Sequence, residues 1–417
     1  MTYHILIVAD GRSPTAQSWI RYVQSLDYDV SLLSTFPCEP PRDLKHFHIL
    51  SIAFSRYSGG SVSRKGSDTG QGSKTWVKGL APLLQFLRYR LGPLTLPHHA
   101  NAYRKWVQEI KPDLVHALRI PFEGMLASYT PVEIPCLVAT WGNDLTLHAR
   151  GSFLMRRFTR RCLSRADGLS SDTHRDVRLA QAWGLNRSAP TLVVPGSGGL
   201  NAGKIQQASA FPSENYGLQK TGTWVVNPRG YRPGSVHQDV FFKAIPKVLA
   251  QHPNVRFICP NLAGNNQAER WVRASGAQAS IDLLPPLSQH DLWSLFAKSE
   301  VFVSPSSHDG TPNALLEALT CGCFPVVGDI ESLQEWIVDG ENGFLVNPKD
   351  PDALARAIMK ALEQPDLRQS AALQNRAMIA TRASSHATLP LIDRFYKGFL
   401  AGSSAQIRHD DLRAKIG

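Results

Sequence analysis

Short apolar runs of strand length recur along the whole chain, and longer stretches with helical spacing separate several of them. In the first half they are "HILIVAD" (4–10), "DVSLLS" (29–34), "HILSIAF" (48–54), "DLVHAL" (113–118), "CLVATW" (136–141) and "TLVVPG" (191–196). A polar interruption, "NAGKIQQASAFPSENYGLQKTG", follows residue 200. The pattern then restarts with "TWVVNP" (223–228), "VRFICP" (255–260), "SIDLLPPL" (280–287), "VFVSPS" (301–306) and "FPVVGD" (324–329). Alternation of strand and helix argues for parallel, doubly wound sheets. Two halves that each restart on a strand argue for an α/β chain of two Rossmann-like domains facing a cleft. The expected domains are 1–200 and 201–385, with a helix at about 386–402 packing back on the first and a loose tail at 403–417. A chain of 417 residues that is 43% apolar can fill two such cores.

Charge separates the halves. Residues 1–200 hold 24 Lys/Arg against 14 Asp/Glu, and residues 201–417 hold 21 against 20. An anionic surface or ligand is therefore expected to meet the first half. In "RGSFLMRRFTRRCLSR" (150–165) six arginines interleave with Phe153, Leu154, Phe158 and Leu163. Such a helix can lie on an anionic leaflet or simply present a solvated face. Nucleic acid is not expected, because few aromatics stand ready to stack on bases and no reader motif is present. The six cysteines lack metal-ligand spacing, and Cys321-x-Cys323 sits in an apolar run, which suggests reduced thiols and a cytoplasmic protein. No run reaches the ~18 apolar residues of a spanning helix. The Ser/Gly-rich stretch 55–76 reads as a mobile loop.

One stretch concentrates chemistry: "SHDGTPNALLEALTCGC" (307–323). Open α/β sheets bind ligands beyond the carboxyl ends of their strands, and this segment follows the strand "VFVSPS". Pro312 is suited to the first position of a helix, with Thr311 as its N-cap. The amides of Asn313, Ala314 and Leu315 would then face an anion such as a phosphate. Glu317 can accept both hydroxyls of a ribose diol, and Asp309 can accept hydroxyls of a sugar beyond the phosphates. The plainer alternative is a capped helix with an exposed Glu.

The same stretch resembles the Glu-x7-Glu motif of family-four retaining glycosyltransferases of the GT-B fold. The likeness runs on through "ESLQEWIVDGENGFLVNPKDPDALARAI" (331–358), and takes in "NPRGYRPGSVHQDVFFKAI" (227–245) and "LLPPLSQHDLWSLFAKSEVFVSPS" (283–306). "KPDLVHAL", "TWGND" and "ADGLSSDT" in the first half fit more weakly. The resemblance implies retaining transfer of a sugar from a nucleotide diphosphate sugar to an acceptor hydroxyl, without a metal or other cofactor. It implies that Glu317 binds the ribose, Asp309 the donor sugar and Arg229 the diphosphate. Gly310, Thr311, Pro312, Asn313 and Ala314 would form the amide-presenting loop, with Leu284 beside the base. Gly11, Arg12 and Ser13 would face the diphosphate and acceptor. An acceptor that is a sugar, a lipid-linked sugar or a polysaccharide would suit the basic first half, as would a peripheral place on the inner face of a membrane.

The sequence departs from the family pattern at several points. Asp309 replaces the usual Glu, and the Lys that normally follows the Arg is absent. Arg232 or His237 is the candidate to replace it, though an Arg changes the geometry. His116 and Asp144 each end a strand and are acceptor-side candidates, His116 being equally readable as a satisfied core histidine. Asp-x-Asp at 27–29 and 350–352 reads as a turn and a helix start, so no metal site is expected. Two rival functions share this fold: a sugar-nucleotide epimerase and a non-catalytic binding module.

Overall fold

The computed structural model describes residues 2–55, 87–210, 218 and 222–413, with side chains as far as residue 401. The chain divides into two compact units. One comprises Met1–Asp172, Asp176–Gly198 and Leu389–Gly417, the other Thr173–Arg175 and Gly199–Thr388.

The first unit is built on β1 (His4–Ala9), β2 (Asp29–Ser34), β3 (Phe47–Ile49), β4 (Leu114–Ala117), β5 (Cys136–Thr140), β6 (Gly168–Ser171) and β7 (Thr191–Val193). They form one parallel sheet in the order β3-β2-β1-β4-β5-β6-β7. Its central strands β1 and β5 are almost wholly apolar and buried along their length, as strands covered by helices on both faces are. Leu6 and Val8 join one core layer with Val115 and Val138, while Ile5, Ile7 and Ala9 join the other with Trp19 and Ile20. That split is the two-residue period of a strand. The helix Pro14–Gln24 starts cleanly because the Ser13 hydroxyl accepts the Ala16 N–H and Pro14 occupies the first turn. From the terminal helix Ser385–Arg413, Ile392, Phe395, Tyr396 and Leu400 enter the second of these layers.

The second unit carries β8 (Thr223–Val226), β9 (Val255–Cys259), β10 (Ile281–Leu283), β11 (Val301–Ser304), β12 (Phe324–Gly328) and β13 (Phe344–Val346), also all parallel, in the order β10-β9-β8-β11-β12-β13. Both units are therefore Rossmann-like.

Local differences from the sequence reading have simple causes. Of "HILSIAF" only His48 and Ile49 belong to a strand, which begins at Phe47, and Ala53 and Phe54 are in the left-handed region at φ 48° and 60°. Two strands lack an apolar run long enough to notice. "GLSS" (β6) pairs through a backbone whose serines are buried, and "FLV" (β13) is three residues long. Inside the polar interruption, Ala202–Ala210 is a helix that buries Ile205 and Ala208. The tail expected to be loose from 403 has a helical backbone to Arg413, in keeping with its Ala, Gln, Arg and Leu residues. Beyond Ser55, the Ser/Gly-rich stretch lies outside the described residues. No described helix is long and apolar enough to cross a membrane.

Candidate functional site

In the second sheet β8 and β11 are neighbours although a long stretch of chain separates them. This is the point where strand order reverses, and loops leaving such a point open a crevice at the carboxyl edge. The loop after β8 carries Arg229 and the loop after β11 carries Asp309. They are zipped together by backbone bonds from His237 N–H to Pro305 O (3.0 Å) and from Ser307 N–H to Ser235 O (2.8 Å). His237 Nε2 lies 2.9 Å from the Ser307 hydroxyl. Beneath them, Gln238 exchanges side-chain bonds with Asn227 and donates to Gly230 O (2.8 Å). Gly328, at the end of β12, lets the β11 loop pass close by, since a Cβ there would stand 2.1 Å from Ser306 O.

Arg229 and Asp309 meet. The Arg229 Nη2 group donates to Asp309 Oδ2, and both side chains are largely withdrawn from solvent, at 7% and 15% exposure. The pair leaves the Arg229 Nε–H buried with no partner among the described residues. Asp309 is held from its own side as well. Its Oδ1 accepts the N–H of the buried Gly310 (3.2 Å), and its carbonyl accepts the Ser332 hydroxyl (2.8 Å). Arg232, in the same loop as Arg229, is exposed.

The helix that follows begins one residue later than its sequence suggests. Pro312 (φ −68°, ψ 122°) is the cap, and the helix is Asn313–Cys321. Thr311 does not cap it, because its hydroxyl accepts the Trp336 indole N–H at 2.8 Å. The first intrahelical bonds run from Leu315 and Leu316 N–H to Pro312 O. Leu315 therefore has no amide to offer a ligand, while that of Ala314 lies outside the helix's own ladder. Glu317 is also different from expectation: it is buried, at 6% exposure. Gln289 Nε2 donates to its Oε1 (3.1 Å). The Trp293 indole faces the same carboxylate without completing a sound hydrogen bond. Burial pushes the carboxyl up from its ordinary 4.5 to about 7, against the pull of these neighbours.

Leu284 is buried with its backbone spent: its N–H goes to Cys259 O, and its carbonyl accepts from Leu262 and Ala263. The open space lies beside it. A cavity of about 220 Å³ is lined by Pro228, Pro260, Asn261, Pro286, Leu287 and Leu292, at the carboxyl ends of β8, β9 and β10.

The candidates in the first unit are more occupied than their positions suggest. Gly11 N–H donates to Ser34 Oγ (3.1 Å), and the Ser13 side chain is used as the helix cap. Arg12 donates two hydrogen bonds, from Nε and Nη2, to the Asp10 carboxylate (3.0 Å each) and lies over the Phe36 ring. His116 is a core histidine, with no solvent exposure and both ring nitrogens engaged by the Tyr396 hydroxyl (2.8 Å) and Ser170 Oγ (3.0 Å). Burial lowers its pKa to about 3, so it is neutral. Asp144 has no solvent exposure either. It accepts from Arg119 Nε (2.8 Å) and from the N–H groups of Ile120 and Trp141. Both acceptor-side candidates are thus corrected to fixtures of the interior, and neither has an atom free for substrate.

Two stretches of the chain match family models. Residues 11–196 match the glycosyl transferase 4-like domain, and residues 234–378 match glycosyl transferases group 1. The chain belongs to the family-four glycosyltransferases of the GT-B fold. Among curated relatives, a D-inositol 3-phosphate glycosyltransferase of Streptosporangium roseum is 25% identical over 41% of this chain and 40% of its own length. The O-antigen chain mannosyltransferase B of Escherichia coli is 28% identical over 30% of each chain. The matched part is thus under half of these relatives' length. Among solved structures, Anabaena HepE in complex with UDP superposes with a TM-score of 0.69 at 15% identity, over 95% of this chain and all of that one. That likeness speaks to the GT-B fold alone.

Sequence reasoning about this glycosyltransferase missed the second layer of the site: Asn227, Gln238, Gln289, Ser332 and Trp336. Gln238 and Gln289 lie near helix starts and read as ordinary solvated positions. Nothing in their local pattern marks them, because each is defined by a partner distant in sequence.

Proposed function

We propose that this chain is a retaining glycosyltransferase that moves a sugar from a nucleotide diphosphate sugar to an acceptor hydroxyl. The observation that carries the reading is the Arg229–Asp309 pair at the strand-order reversal, beside the first turn of the helix Asn313–Cys321. In this reading the diphosphate lies against Arg229 and the amide of Ala314. The Arg229 Nε–H, which no described residue accepts, and the positive end of this helix stabilise the charge that grows on the leaving group. Asp309, steered by Arg229, accepts hydroxyls of the donor sugar. The ribose diol goes to Glu317, and the base to the proline- and leucine-lined cavity near Leu284. His237, lowered in pKa by burial, serves as a neutral hydrogen-bonding neighbour of Ser307. The leaving phosphate itself helps take the acceptor proton, so no side-chain nucleophile is assigned. Charge stabilisation by protein groups needs no metal or other cofactor. UDP is a reasonable first nucleotide to try, since HepE is known with it, and surface-polysaccharide assembly is a reasonable setting, since one relative is an O-antigen chain mannosyltransferase.

The test is product analysis. A nucleotide sugar incubated with the protein and a panel of sugar and lipid-linked acceptors should yield a glycoside with the donor's anomeric configuration. An epimer formed without acceptor would support the epimerase instead. Tight nucleotide binding with no product would support the binding module.

We also place the protein at the cytoplasmic face of a membrane. On the helix Phe153–Arg165, Phe153 is 75% exposed, and Arg156 and Arg157 beside it are exposed too. The Ser152 hydroxyl donates to Tyr89 O, which brings alongside a segment whose Leu91 and Leu94 are 45% and 56% exposed. Apolar side chains ringed by arginines fit an anionic leaflet. Sedimentation with phosphatidylglycerol vesicles is expected at low salt and is expected to weaken as salt rises. Each basic residue near such a surface contributes about 1 kcal/mol, so reversing Arg156 and Arg157 to Glu should weaken partitioning by at least roughly thirtyfold. Equal sedimentation of the reversed variant would refute this placement.

A further inference from the structure

In the first sheet the strand order reverses between β1 and β4, so a second crevice-forming position exists at its carboxyl edge. Charged and polar groups gather there from several loops: Arg12 after β1, Thr35 after β2, Arg119 and Glu123 after β4, and Arg88 from the segment before the helix Leu96–Ile110. Their pairing is uneven. Arg12 is closed on Asp10. Asp144 is filled by Arg119 Nε and two backbone N–H groups. Glu123, buried, accepts the Thr35 hydroxyl at 2.6 Å.

What is left over is donor capacity. Arg119 uses its Nε–H on Asp144, and its terminal nitrogens have no hydrogen bond among the described residues. Its side chain remains 35% exposed. Arg88 uses one Nη1–H on Ala53 O (2.9 Å), and no other bond from it is made to a described residue. Its guanidinium is clamped between rings, 4.6 Å from the Phe36 centroid and 4.3 Å from that of Phe122. The rings fix its plane but supply no acceptor. Tyr89 stacks on His148 at 4.8 Å and packs against Phe122, which gives the cluster a rigid aromatic wall. Desolvation weakens the hold of Arg88 on its proton, while the neighbouring Glu123 works against that.

A guanidinium taken partly out of water with most of its donors unmet is costly unless an acceptor fills them. Glu123 offsets part of the charge on both guanidinium groups but takes no hydrogen bond from either among the described residues, so the donors themselves are what a ligand would meet. A planar fork prefers an oxyanion, which takes two parallel bonds. We infer that the crevice at the β1/β4 reversal binds an acceptor that carries a phosphate or carboxylate group, held by the edges of Arg88 and Arg119 that no described residue fills. This rests on the transfer reading and adds to it the chemical class of the acceptor. Arg88 and Arg119 then act as specificity-determining residues: they select the anionic acceptor over its neutral analogue.

Inorganic phosphate is the probe. The full chain is titrated calorimetrically with phosphate, as wild type and as Arg88→Gln, Arg119→Lys and Arg229→Ala. Arg119→Lys keeps a charge beside the buried Asp144, so it tests the fork without orphaning that carboxylate. The expected result is a saturable phosphate site that survives Arg229→Ala and weakens at least about tenfold in Arg88→Gln and Arg119→Lys. A soluble hexose phosphate and a short-chain lipid phosphate, each run as competitor, separate a sugar phosphate from a lipid headgroup as the natural source. Displacement by either supports the site. Absence of saturable binding, or binding lost only in Arg229→Ala, overturns the inference. Nucleotide diphosphate is titrated in parallel and should bind Arg88→Gln as it binds wild type. If it does not bind wild type, the donor reading fails separately, and the phosphate titrations still decide the crevice.

Discussion

Replacing Arg229 by Ala is expected to lower kcat/KM for sugar transfer by about 10²–10³, the usual cost of removing a preorganised donor to developing charge. The loss should fall on kcat as well as KM, because charge on the leaving diphosphate is greatest in the transition state. The residue is placed for this. It is buried, it emerges at the reversal between β8 and β11, and its Nε–H, unpartnered among the described residues, sits on the same guanidinium that Asp309 orients. Arg229→Ala also leaves Asp309 without its cation, so some loss of stability is expected alongside. Arg229→Lys separates the effects. It keeps a charge near Asp309 but loses the planar fork, and it should restore stability more fully than turnover. Wild-type kcat/KM in Arg229→Ala, measured with a competent donor and acceptor, would remove the proposed role.

The second large effect concerns Glu317, where stability and function should move in opposite directions. Its carboxyl is raised by burial to about 7 in the folded protein, against an ordinary value of 4.5. The folded state therefore holds this proton over a range in which the unfolded chain has released it. Stability linked to the group is fully present below about pH 4.5 and is lost as pH rises through about 7. Glu317→Gln keeps the shape and removes the charging cost. It should stabilise the protein at pH 8 by up to about 3 kcal/mol, since each tenfold change in an acid's ionisation constant corresponds to about 1.4 kcal/mol. The same substitution should weaken nucleotide binding about tenfold or more, because an amide replaces a carboxylate that accepts from the ribose hydroxyls. Wild-type affinity should rise with pH through about 7 as the carboxylate forms, and the glutamine variant should lack that component. Denaturant titrations at pH 5 and pH 8 and nucleotide titrations at the same two values check both halves. If Glu317→Gln is destabilising at pH 8, burial has been misjudged; if it binds nucleotide like wild type, the ribose role is lost.

Much of this was legible before the fold was known, for physical reasons that also mark the limit. Strands buried on both faces, such as "HILIVA" and "FPVVG", announce themselves as continuous apolar runs. The restart after residue 200 announces the second sheet. Family likeness assigned Arg229 and Asp309 to one donor site, but their direct ion pair was not legible, because only sheet order brings the two strand ends together. Short strands escaped notice, because "GLSS" is a strand only by virtue of its neighbours. Burial misled most. His116 and Asp144 sit at strand ends, where ligands are expected, yet Tyr396 and Arg119 had already claimed them from distant parts of the chain. Thr311 is a plausible cap until Trp336 takes its hydroxyl. A sequence shows which groups a residue owns; which of them are already satisfied depends on partners that only the fold supplies.

The central claim is that the junction of the β8 and β11 loops holds a nucleotide diphosphate. Calorimetric titration of the full chain with UDP, GDP and ADP, in wild type and Arg229→Ala, tests it most directly. Saturable binding of at least one nucleotide, weakened about tenfold or more in the variant, is the predicted result. No binding of any of the three, or equal binding with and without Arg229, would contradict it.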